Sequence, residues 1–204
     1  VQATIRVGHL GIRPDEPDFF PLQVMNRVLG GGFTSRLMQR LRDEKGWAYG
    51  AGSALTLPRE VGIFFATTEV RTAVADSAVA EIISQLRALR EEPMDPAEMQ
   101  SAVNYLVGSF PLTIETAGQI AGQIARARLI GRPLEHITEY RERIQAVTPE
   151  DVTRAARRHV DAERAVVVVV GDAVELLPRL QGIAPLQLYD VEGARLDPAR
   201  LGGG

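Results

Sequence analysis

Apolar and polar residues alternate over residues 2–10, with Ala3, Ile5, Val7 and then His9 on one face, and this period of two predicts a strand. Pro14 to Pro17 break the pattern. Asp18 then stands as the cap of a helix through Leu29, with Pro21 tolerated in its first turn. Gly30–Gly32 follow and are expected to supply the positive φ values that helix ends often need. Phe33, Leu37 and Leu41 recur every four residues, which predicts a second short helix burying that stripe. Two strands come next, Trp47–Leu57 and Val61–Val70, joined at Pro58-Arg59-Glu60 and paired most simply as an antiparallel hairpin. The first carries large Trp47, Tyr49, Leu55 and Leu57 on one face and small Ala48, Gly50, Gly52 and Ala54 on the other. The second is apolar on both faces, as for a central strand covered on both sides.

The middle of the chain reads as helix. One helix spans about residues 72–90. Asp95-Pro96-Ala97-Glu98 supplies a cap, a first-turn proline and an acidic third position for another, which carries Met99, Ala102, Val103, Leu106 and Val107. Further helices are expected over residues 114–130 and 134–146, and from Thr148-Pro149-Glu150-Asp151 to about Val160. Ala165–Val170 reads as a buried strand ending at Gly171-Asp172, and a last short strand is expected near Leu186–Tyr189. Gly202–Gly204 form a tail expected to be mobile. Strands at both ends with helices between them predict an α+β fold, a mostly antiparallel sheet backed by helices on one face. The 204 residues suit a single domain, and the opening on Val1 within a strand reads as a piece of a longer protein.

Composition changes this picture only by exclusion. The chain is 45% hydrophobic and 24% charged, with 23 basic and 26 acidic residues for a net charge of −3. A dedicated nucleic-acid binder carries a basic surplus, so neither a nucleic acid nor a membrane is an expected partner. No apolar run approaches the roughly 18–20 residues of a membrane span. The absence of cysteine removes disulfides, zinc knuckles and thiol catalysis.

A catalytic zinc site needs three protein ligands, usually with two histidines one helical turn apart. The three histidines, His9, His136 and His159, offer no such pair. The nearest approach to an inverted H-x-x-E-H motif is Arg132-Pro133-Leu134-Glu135-His136. There Arg132 stands where the first ligand belongs, and Pro133 disfavours helix at Arg132. A polar helix start explains it better, and no metal is expected in this chain. Gly30-Gly31-Gly32 lacks the Gly-Lys-Ser/Thr of a phosphate loop, and Ser35 lacks an adjacent base, so capping of the second helix by Thr34 or Ser35 is the expectation. Arg42 and Tyr49 are the sharpest candidates. Arginine offers five fixed donors and tyrosine one phenolic donor, which suits them to a peptide carbonyl. The plainer alternative pairs Arg42 with a nearby carboxylate and packs Tyr49 beside Trp47.

The run Leu29-Gly30-Gly31-Gly32-Phe33-Thr34-Ser35-Arg36-Leu37 through Leu41-Arg42-Asp43-Glu44-Lys45-Gly46-Trp47-Ala48-Tyr49-Gly50 resembles the C-terminal, non-metal-binding half of the pitrilysin/insulinase/mitochondrial processing peptidase family of zinc metallopeptidases. The resemblance implies a sheet backed by helices, matching the pattern above. It implies that Arg42 and Tyr49 reach across to a peptide substrate, and that the zinc lies in a homologous partner half bearing H-x-x-E-H. On that reading the chain is inactive alone, with no catalytic residue and no cofactor of its own. It binds an extended peptide opposite its partner, and its uncovered face allows self-association in isolation. The alternative within the same superfamily is a non-proteolytic structural or assembly subunit. The compartment stays open, a bacterial periplasm or cytoplasm fitting a soluble relative.

Overall fold

A computed structural model of the protein describes residues 2–197. The alternation over residues 2–10 forms β1 (Gln2–Leu10), with Ala3, Ile5 and Val7 fully buried. The hairpin forms as well, β2 (Ala48–Leu55) running antiparallel to β3 (Ile63–Arg71). With β4 (Val166–Val170) they make an antiparallel sheet in the order β2-β3-β1-β4. A separate ribbon pairs β5 (Leu188–Tyr189) with β6 (Arg195–Leu196). The tail at Gly202–Gly204 lies outside the described residues.

Helices cover one face of the sheet. α1 (Phe19–Gly30) buries Leu22, Val24, Met25 and Leu29 against β2 and the helical layer. The Phe33 stripe becomes α2 (Arg36–Met38), which widens into a π-type turn over Gln39–Glu44. α3 (Ala75–Glu91) buries Val79, Ile82 and Leu86. α4 (Pro96–Ser109) starts as its sequence predicts, the Asp95 carboxylate accepting from the Ala97 and Glu98 backbone N–H groups. α5 (Ala117–Ile130) begins three residues later than expected, after a 3-10 turn over Phe110–Thr113, and is opened by a Thr116/Gln119 capping box. The expected helix over 134–146 is two short pieces, α6 (Glu135–Thr138) and α7 (Tyr140–Gln145). α8 (Pro149–His159) has its own capping box at Thr148 and Asp151, and α9 (Ala173–Leu180) is an element the sequence reading did not include.

Several expectations are corrected by this packing. β3 is not covered on both sides: Phe64, Ala66, Thr68 and Val70 are buried, whereas Ile63 is 46% exposed. Nor is β4 buried throughout, since Val166, Val168 and Val170 line the open face and Val167 and Val169 pack on the core. Valine favours pleated strands whichever face it occupies, so an all-valine run marks a strand without marking two-sided burial. In β2, Ala48 faces Val70 and Ala51 faces Thr68, so Tyr49 and Gly50 together oppose Glu69. This bulge reverses the side-chain parity. Ala48, Ala51 and Leu55 therefore pack on the core, and Tyr49 leaves the face it was expected to share with Leu55.

The glycine run does not supply left-handed backbone, because among the described residues only Gly46, Gly131 and Gly193 have positive φ. Gly30 is required by proximity instead. A Cβ there would lie 2.2 Å from the Ser53 backbone nitrogen and 2.6 Å from the Gly52 carbonyl carbon. Phe33 leaves the expected stripe and is 80% exposed, while Leu37 and Leu41 are fully buried. Ser35 takes the cap position without a capping bond, its hydroxyl buried and without a hydrogen-bond partner among the described residues. Arg36 gives the segment its tie instead, donating to the Glu98 carboxylate of α4 from Nε at 3.0 Å and from Nη2 at 2.6 Å. Asp18 likewise makes no side-chain cap. Its carboxylate meets His159 Nε2 at 3.0 Å, joining the start of α1 to the end of α8.

Because backbone, not a flexible side chain, faces Gly30, Gly30→Ala should destabilise the fold by about 1–3 kcal/mol, the usual cost of overpacking. In a chain of this size that lowers Tm by about 2–4 °C per kcal/mol. A thermal melt unchanged by the substitution would show that α1 and β2 separate freely.

Candidate functional site

Arg42 and Tyr49 are brought side by side by two local irregularities. The π-type turn, with Lys45 N–H donating to the Arg40 carbonyl, carries Arg42 at its end. Such wide turns often mark functional positions. The Trp47 N–H then donates to the Leu41 carbonyl at 2.9 Å, and the chain enters β2. The bulge at Tyr49 and Gly50 follows at once, with the Thr68 hydroxyl donating to the Gly50 carbonyl. The result sets the Arg42 guanidinium carbon 5.7 Å from the Tyr49 ring centroid.

Neither side chain is used by the core. Tyr49 is 93% exposed, and among the described residues its hydroxyl has no hydrogen-bond partner. Arg42 lies 3.9 Å from Asp43, a long contact between two exposed groups. Trp47 packs against the core and receives Lys45 over its ring at 4.7 Å. A groove of about 360 Å³ runs beside Tyr49, floored by Gly50 and Gly52 and walled by Trp47, Thr67, Glu69 and Arg71. A Cβ added at Gly50 would meet nothing within 4 Å, so the fold itself does not require a glycine there.

The histidines lie apart from this groove. His9 Nε2 accepts from the Asp161 N–H at 3.1 Å, so Nδ1 donates to the Leu10 carbonyl. His159 belongs to a group with Glu16 and Asp18 whose ligand atoms all lie within 4.8 Å of one another. Sequence spacing hid this group, because its members lie on α8 and on the loop before α1. It suits an ion-pair cluster better than a metal: Arg158 Nη1 stands 3.4 Å from Asp18 and 3.7 Å from Glu16, and Arg154 Nη2 stands 3.5 Å from Asp18. A dication there would compete with two guanidinium groups. At the near-match, Arg132 Nε donates to His136 Nδ1, a geometry opposite to metal ligation by that nitrogen.

Comparison with known proteins agrees with the fold. The pattern defining the peptidase M16 inactive domain matches residues 2–106. The chain belongs to that family. An uncharacterized zinc protease of Streptomyces coelicolor is 29% identical over 83% of the chain, and a non-peptidase homolog of Helicobacter pylori is 24% identical over 79%. The chain spans 37% of the length of each of these relatives. The crystal structure of a peptidase M16 inactive domain from Pseudomonas fluorescens superposes with a TM-score of 0.77 at 25% identity, covering 82% of this chain and 40% of that one. The M16 inactive domain described here is thus homologous to zinc proteases, as the run from Leu29 to Gly50 implies.

Two outcomes follow for this domain. Burial first, then the Arg132 and Arg143 guanidinium groups, hold His136 below its ordinary pKa of 6.5. The folded state therefore disfavours the proton that the unfolded chain accepts, and stability falls as pH drops below about 6.5. It levels off once pH is below the depressed folded value. Thermal melts between pH 7.5 and 5 should show this slope, and His136→Gln should reduce it; an unchanged slope would assign it to other groups. Dialysis against zinc followed by metal analysis should find no stoichiometric metal. Tight one-to-one zinc lost in His159→Ala or His136→Ala would overturn that expectation.

Proposed function

We propose that this domain is the peptide-holding, non-catalytic half of a two-half zinc peptidase, and that Arg42 and Tyr49 contact the substrate. The observation that carries this reading is the exposed pair itself, its Tyr49 lining a groove that Gly50 and Gly52 also line. A guanidinium and a phenol offer donors to the carbonyls of an extended chain, and Gly50 leaves room for its backbone. Zinc, supplied by an H-x-x-E-H half, would polarise the scissile carbonyl and activate water. Donors from this half then stabilise the negative charge that develops on the carbonyl oxygen. Closure of two halves around the peptide excludes water and strengthens those polar contacts. The partner is a homologous domain in the same chain or in a second subunit.

A structural or assembly subunit is the second reading, and the similarity to a non-peptidase homolog favours it. The two separate cleanly. In the complete enzyme, Arg42→Ala or Tyr49→Phe should lower turnover roughly a hundredfold, about 3 kcal/mol for one positioned oxyanion donor. Folding should change little, because both side chains are exposed. Gly50→Val should fill the groove and weaken peptide binding without shifting Tm. Unchanged kinetics in these variants would support the assembly role, as would full activity of the metal half alone on unfolded peptides.

A further inference from the structure

A second cavity, of about 240 Å³, lies between the start of α1, the 3-10 turn over Phe110–Thr113, α5 and the α6–α7 segment. None of its lining residues is shared with the groove at Tyr49. Its apolar walls include Phe19, Phe110 and Tyr140, the last two stacked with centroids 4.4 Å apart. Its charged lining is cationic, from Arg126 and Arg132.

Arg132 is held there by rigid backbone. Gly131 ends α5 at φ +74°, the Arg132 N–H donates to the Ala127 carbonyl at 2.8 Å, and Pro133 follows. The guanidinium lies over the Phe19 ring, 3.3 Å from its centroid, and Nε donates to His136 Nδ1 at 2.5 Å. Its terminal nitrogens have no acceptor among the described residues, and Nη2 is sealed from water. Arg126 likewise makes no ion pair among the described residues. The nearby carboxylates do not answer this charge, since Glu139 is held by Arg143 at 2.8 and 2.7 Å and the influence of Glu135 falls on His136. Burial pulls the Arg132 pKa down to about 10, still cationic at neutral pH. A half-buried guanidinium with one sealed, unmet donor is costly, and a carboxylate is a group that answers its charge.

We infer that this cavity binds a carboxylate carried on a small aromatic body, the carboxylate on Nη1 of Arg132 with Arg126 beside it and the ring against Phe110 and Tyr140. The cavity is smaller than the roughly 300–1,000 Å³ of drug-sized sites, which restricts the ligand to a single ring or one residue. Two sources share that chemistry, a free aromatic acid and the C-terminal residue of a peptide.

Calorimetric titration of the protein with phenylacetate and with acetyl-Gly-Phe, each against its neutral amide, distinguishes them. The acids should bind at least tenfold tighter than the amides, and acetate should bind at least tenfold weaker than phenylacetate. Arg132→Met should reduce acid binding at least tenfold while a circular-dichroism melt remains cooperative, and Arg132→Lys should restore part of it. Binding of both acids, or of phenylacetate alone, identifies a free acid as sufficient; binding of the peptide acid alone identifies a chain terminus. No binding of either, equal binding of acid and amide, or binding unchanged in a folded Arg132→Met overturns the assignment. Should Arg132→Met fail to fold, the acid–amide comparison on the unaltered protein and on Arg126→Met decides. Because Arg42 and Tyr49 take no part, failure here leaves the peptide-holding reading untouched.

Discussion

Between the end of α1 and the backbone of β2 there is no room for a side chain. Gly30 meets the Gly52–Ser53 peptide so closely that a methyl group would overlap it. That contact lets the helix end lie directly on an edge strand, and the Ser53 hydroxyl then reaches the Asn26 side chain of α1 at 2.8 Å. With the helix fixed there, the chain turns through α2 and the π-type segment and re-enters the sheet at Ala48. The π-type turn and the β2 bulge absorb that geometry, and they carry Arg42 and Tyr49. The placement of the candidate site thus descends from one glycine's proximity.

The same layering explains why so much apolar surface stays open. Helices back only one face of the sheet, so among the described residues Ile63 of β3 and Val166, Val168 and Val170 of β4 stay exposed. α5 is similarly bare, with Ala127 its only buried residue. Its Ile120, Ile124 and Leu129 are exposed as well. Relatives more than twice the length of this chain carry further mass that could meet such faces.

Polar groups divide between support and function. Arg36 on Glu98 and the Asp18–His159 contact join distant elements, and their partners lie far away in sequence. Arg42, Tyr49 and the terminal nitrogens of Arg132 differ because no acceptor among the described residues takes a hydrogen bond from them. Arg42 and Tyr49 face solvent, where an unmet donor costs little, whereas Nη2 of Arg132 is sealed from water, where it costs more.

The sequence by itself determined the elements whose causes are local. Alternation gave β1 its buried face, and caps followed by first-turn prolines gave the starts of α4 and α8. The Leu29–Gly50 run also carried the family and the α+β fold. Only tertiary structure decided what depends on neighbours distant in sequence. A bulge reverses side-chain parity without changing composition, so the exit of Tyr49 from the Leu55 face could not be read from spacing. Gly30 looked like a turn residue because its real constraint, a strand more than twenty residues away, is invisible along the chain. Burial of β3 and β4 on one face rather than two depends on whether a second layer exists. The Glu16–Asp18–His159 cluster and the unanswered charge of Arg132 arise because packing joins or isolates groups that the sequence merely orders.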